Sequence, residues 1–98
     1  MEKADLTLNE SWAALGKDPA HVRSALLAIE DTEQRVSMAE MLLDGAKKIA
    51  RRLQGELHPD KNSGNPIIEA RYMLVGKAIR SLEIHTEAMR SKYEQSKS

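Results

Sequence analysis

His58 and Asp60 are the residues whose types and spacing most invite a chemical reading. They flank Pro59, so an imidazole and a carboxylate share one short turn and could in principle exchange a proton. Acid–base catalysis also calls for a third polar group and an enclosing pocket, and the surrounding sequence offers neither. A metal site is equally poorly supplied. His21, His58 and His85 are far apart in sequence and form no close ligand pair. The absence of cysteine removes disulfides, thiolate nucleophiles and cysteine-based zinc sites. The expectation is therefore a protein that is not an enzyme, with no catalytic residues, no metal and no cofactor. The turn would act by recognition.

The elements that must position this turn are helical. The chain has 98 residues, which favours one small domain. With one Trp, two Tyr and no Phe, Leu, Ala, Met and Ile must fill its core. Strong helix formers dominate, and no useful length alternates in the manner of a strand. The pattern predicts an all-α domain. A first helix runs from about Leu8 to Leu15 and is stopped by Gly16. A second starts at Asp18-Pro19, an N-cap followed by a proline suited to the first helical position, and carries Val22, Leu26 and Ile29 inward. Asp31, with Gln34 three residues on, starts a third.

In that third helix Val36, Ala39, Leu42, Leu43, Ala46, Ile49, Ala50, Leu53 and Leu57 recur at three- and four-residue steps, one apolar stripe. Gly45 is a point where it could bend or break, at a cost of about 1 kcal/mol relative to Ala. Pro59 ends it, because the residue before a proline disfavours helical geometry. After the turn formers Asn62, Ser63 and Gly64, Asn65-Pro66 opens a fourth helix that runs to about Tyr93. Its main stripe is Ile68, Tyr72, Val75, Ile79 and Leu82. Ile67, Leu74 and Ala78 form a second strip, which the N-terminal helices are expected to cover.

Lys47, Lys48, Arg51 and Arg52 stack at four-residue steps and fall opposite the apolar stripe of the third helix. Alone, such a face is most simply a solvated one. The alternative is an electrostatic docking face. Net charge is zero, but residues 1–44 hold four basic and nine acidic side chains, a net −5, and residues 45–98 hold eleven and six, a net +5. This asymmetry fits either two helical layers that attract each other or a surface for an acidic partner.

The run Leu57-His58-Pro59-Asp60-Lys61-Asn62, placed between a basic amphipathic helix and another amphipathic helix, resembles the J-domain of DnaJ-type cochaperones. Their hallmark is His-Pro-Asp, often followed by Lys and Asn, between two antiparallel helices. Pro66, Tyr72, Val75, Ala78 and Leu82 stand where J-domains carry proline, aromatic, aliphatic, alanine and leucine. Leu53 and the basic quartet match the preceding helix. The resemblance covers about residues 44–82. Leu57 stands where many J-domains have an aromatic, and Ala50 replaces a frequent tyrosine. Ser11 to Gly16 looks like the first J-domain helix with its Leu-Gly ending, but lies roughly twenty residues too far from the turn; either Ala20 to Glu40 is an inserted helix plus extension, the favoured reading, or the first helix has been replaced. There is no Gly/Phe-rich region.

The resemblance implies a J-domain-like antiparallel hairpin, placed over residues 41–93; the chain pattern adds an N-terminal helical extension (1–40) packed on it and a polar, flexible tail (94–98). It implies a cochaperone that binds a DnaK-type chaperone and stimulates its ATP hydrolysis. The partner-binding residues would be His58, Pro59, Asp60, Lys61, Lys47, Lys48, Arg51 and Arg52. The alternative is a J-like adaptor or structural protein that binds another protein without stimulating an ATPase. Nucleic acid is disfavoured as a partner, since the basic patch is small and the net charge is zero. The acidic N-terminus does not read as a signal peptide, and no apolar run is long enough to span a bilayer, so a cytoplasmic location without membrane association is expected. The oligomeric state is left open.

Overall fold

The computed structural model describes residues 3–97, all of whose regular structure is helical. Four helices follow in order: α1 (Leu8–Ala14), α2 (Pro19–Leu27), α3 (Thr32–Glu56) and α4 (Pro66–Lys97). The cap residues set these starts. Asp18 accepts from the Ala20 amide at 3.0 Å, and Asp31 accepts from the Gln34 amide at 2.9 Å. Thr7 and Glu10 close a full capping box on α1, with both bonds between 3.0 and 3.1 Å. At the other end of α1, Gly16 takes φ +81°. Its amide donates to Ala13 O and that of Lys17 to Trp12 O, the two bonds of a Schellman stop.

The long pair α3 and α4 forms an antiparallel hairpin, and α1 lies on α4. The core is the seam between them: Ala46 and Ala50 from α3, Val75, Ala78 and Leu82 from α4, and Trp12 and Leu15 from α1. Leu42, Leu43, Ile49, Leu53 and Ile79 are partly buried around it. Two polar anchors fix α1's approach. The Leu6 amide donates to Ser81 Oγ at 3.1 Å, and His85 Nε2 lies 2.9 Å from the Leu6 carbonyl. Far from the turn, Arg90 binds Glu40 through both carboxylate oxygens, tying α4 to α3. The molecule is elongated, 52 × 28 × 18 Å. The length of α4, about 48 Å at 1.5 Å per residue, accounts for the long axis.

Three expectations need revision. First, α3 passes through Gly45 unbroken, as one helix of 25 residues. Glycine costs helix propensity, but tertiary burial of Ala46 and Ala50 on its flank outweighs that. Second, α4 continues to Lys97 rather than fraying after Tyr93; Arg90 and Lys97 stack over the Tyr93 ring at 5.9 and 5.2 Å. Third, α2 does not cover the second strip of α4. It packs on α1 and α3, and Ile67 and Leu74 stay 73% and 40% exposed. Only Ala78 of that strip is buried.

Two predictions follow from this packing. Leu82, 1% exposed, should cost about 2–5 kcal/mol on replacement by Ala, and half-buried Leu53 distinctly less, as read by urea unfolding. Glu40 is held below the usual carboxylate range, first by the Arg90 hydrogen bond. A carboxyl depressed in the folded state stabilises the fold above its unfolded value and loses that contribution as pH falls through its folded value. Melting of the Glu40→Gln variant should therefore fall less steeply than that of the parent between pH 6 and the acid side of the ordinary Glu range.

Candidate functional site

The turn between α3 and α4 is built from both ends. Leu57 closes α3 by donating its amide to Leu53 O at 2.8 Å. The next orphan carbonyls are taken up by one side chain: Asn62 Nδ2 donates to Glu56 O at 3.0 Å and to His58 O at 3.2 Å. On the far side Asn65 Oδ1 accepts from the Ile67 and Ile68 amides at 3.1 and 3.3 Å, with Pro66 at the first helical position. Gly64 links the two caps at φ +83°, a conformation that a residue with a Cβ rarely takes. The amides of Lys61 and Asn62 bond back to His58 O, so the His58–Asn62 segment is itself a closed turn.

His58 is held in place from two directions. Its Nδ1 accepts the Asp60 amide at 3.2 Å, which places the ring proton on Nε2 in the neutral form. Its ring meets Tyr72 edge-on, with centroids 5.7 Å apart and planes at 75°. The imidazole thus pins the loop to α4. The Asp60 carboxylate is 3.7 Å from Nδ1 and 91% exposed. It is presented to solvent by a fixed backbone and not consumed by the fold. Pro59 and Lys61 are exposed beside it.

The basic residues of α3 divide. At 100° per residue, Lys48 and Arg52 point away from the Ala46–Ala50 seam, and both are exposed. Lys47 and Arg51 stand at its flank rather than opposite it. They border a shallow hollow with Gln54, Ile79 and Glu83 of α4, and Lys47 is half-buried there. No carboxylate pairs with Lys48, Arg51 or Arg52 among the described residues. The outward basic face is thus narrower than the sequence implies, and it runs towards the exposed turn.

Asn62 and Tyr72 matter to the site in ways the sequence did not announce. Asn62 read as a turn former, but its role in capping α3 depends on the loop folding back. Tyr72 read as core, whereas its ring braces His58; the aromatic at that step carried no sign of its partner. Among the described residues no cluster of three or more His, Asp or Glu could hold a metal ion, and no helix is long and apolar enough to cross a membrane. No protein-family model, curated protein or solved structure matches the chain. Replacing Asn62 with Ala should cost about 0.5–1.5 kcal/mol and speed amide exchange at Lys61 and Asn62, with α4 amides unaffected. Hydrogen-exchange NMR would read this directly.

Proposed function

We propose that the chain is a J-domain-like cochaperone that docks on a DnaK-type chaperone and stimulates its ATP hydrolysis. The observation that carries this reading is the presentation of His58-Pro59-Asp60 at the apex of a two-helix hairpin, with Asp60 91% exposed. A carboxylate held out on a stiff turn is suited to charge-assisted hydrogen bonds from a partner arginine. Because the turn is already closed by its own bonds, little ordering is lost on docking. Lys48 and Arg52 supply a positive field on the helix leading to it, which speeds encounter with an acidic surface and is weakened by salt. The protein itself performs no chemistry in this scheme. It shifts the partner's conformational populations by binding one state better than another.

Asp60→Asn should abolish stimulation of single-turnover ATP hydrolysis while changing stability by no more than about 0.5 kcal/mol. Charge reversal of Lys48 and Arg52 should instead slow association and flatten its salt dependence, leaving the stimulation reached at saturation largely intact. If the parent chain gives no stimulation of the DnaK-type chaperone of its own host, the cochaperone reading fails. The turn would then belong to a J-like adaptor that binds a partner without driving an ATPase.

A further inference from the structure

The end of the hairpin remote from the turn holds an unfilled layer. α2 buries no residue fully, although it carries Val22, Leu26 and Leu27, the last 64% exposed. Between α2, α1 and α4 lies a hollow of about 180 Å³, lined by Trp12, Val22, Leu26 and Met89 among others. A second hollow, of about 340 Å³, shares Arg35 and Met89 with the first and continues along α4 to Lys92 and Tyr93. The two hollows adjoin at Arg35 and Met89 and form a groove in two parts, with mostly apolar walls.

The charged residues that line the two hollows are all basic. Residues 1–44 carry a net −5, yet no Asp or Glu lines either hollow. The charged lining residues are Arg23, Arg35 and Lys92. Arg35 has a structural duty, donating to the Leu26 and Ile29 carbonyls and so holding the end of α2 against α3. Arg23 and Lys92 have no ion-pair partner among the described residues. One lies on each hollow, so the two cations are separated by the apolar floor.

We propose that this groove binds a short peptide segment of a partner protein, seating an apolar side chain against Trp12, Val22 and Leu26 and pairing acidic residues with Arg23 and Lys92. The first hollow is smaller than an ordinary small-molecule pocket and suits one side chain. Cations on two separate hollows match a ligand with spaced carboxylates better than an amphiphile with a single head group. Met89, unbranched and polarizable, can adjust to the inserted group. The site lies at the opposite end of α3 and α4 from His58–Asp60, so it does not rest on the proposed cochaperone role.

Trp12 is the chain's single tryptophan and reports on the floor directly. The full chain is screened against immobilised short peptides that vary apolar anchors (Leu, Ile, Met, Phe) and flanking residues (Asp/Glu, Ser or Lys). The tightest binder is then titrated in solution. Acid-flanked peptides should bind with a saturable change in Trp12 emission, and lysine-flanked ones should not. The R23E/K92E double variant, which alters only exposed charge, should melt as the parent does, lose at least about tenfold in affinity for acid-flanked peptides, and gain for lysine-flanked ones. The proposal is overturned if no peptide gives a saturable response, or if flank charge makes no difference. A larger Trp12 response to anionic phosphatidylglycerol vesicles than to any peptide would also overturn it. So would a dimer in sedimentation that the double variant dissolves.

Discussion

The close apposition of α3 and α4 along a seam of small residues governs the rest of the molecule. Ala46, Ala50 and Ala78 are all at most 2% exposed, with Val75 and Leu82 beside them. Small side chains let helix axes approach closely, but they leave little apolar bulk between them. The bulk has to come from a third element, and α1 supplies it with Trp12 and Leu15. That explains why seven-residue α1, too short to persist alone, is fastened so carefully, with a capping box at one end and a Schellman stop at the other. It also explains the polar bonds from Leu6 to Ser81 and His85, which fix where Trp12 enters the seam.

A rigid seam gives the connecting turn its character. Both helices end in their own caps, Asn62 on α3 and Asn65 on α4, so the loop is fastened at each side before any long-range contact is made. His58 then spends its ring on Tyr72 and on the Asp60 amide. What remains unspent is the Asp60 carboxylate. The geometry therefore separates roles that the sequence places side by side: His58 and Asn62 organise, Pro59 stiffens, and Asp60 is presented. At the other end the same hairpin is closed by Glu40 and Arg90, while α2 remains the least buried element.

Local signals were legible in the sequence because their physics is local. Asp18-Pro19, Asp31 with Gln34, and Asn65-Pro66 each mark a helix start that the structure places at that residue. The apolar stripe of α3 is likewise readable, and Val36, Ala39, Ala46 and Ala50 are its buried members. Thr7-x-x-Glu10 has the spacing of a capping box, a signal as local as the arrest at Gly16. What the sequence could not disclose is which element covers which face. Periodicity says that Ile67, Leu74 and Ala78 share a strip; it does not say that only Ala78 of the three is buried. The pairing of Glu40 with Arg90 joins residues fifty apart and has no local sign.

The charge asymmetry admitted two explanations, and the ion pairs bear on the choice. If the acidic first half and basic second half served mainly to hold two layers together, the cations of α3 and α4 would be engaged by carboxylates of residues 1–44. Glu40–Arg90 is such a pair. Lys48, Arg51 and Arg52 are not so engaged; they lie on α3's outer and flanking faces with no carboxylate partner among the described residues. Attraction between layers therefore accounts for one end of the hairpin and leaves the α3 charges unspent. Exposed like charges gathered on one helix repel one another mildly and are screened beyond about 8 Å at physiological salt. They add nothing to the apolar cluster of the seam, built from Ala46, Ala50, Val75, Ala78 and Leu82. Their one physical consequence is a positive field along α3, the helix that leads into the turn carrying the exposed Asp60 carboxylate. Under the proposed docking role, an acidic surface carrying an exposed arginine would answer both features at once.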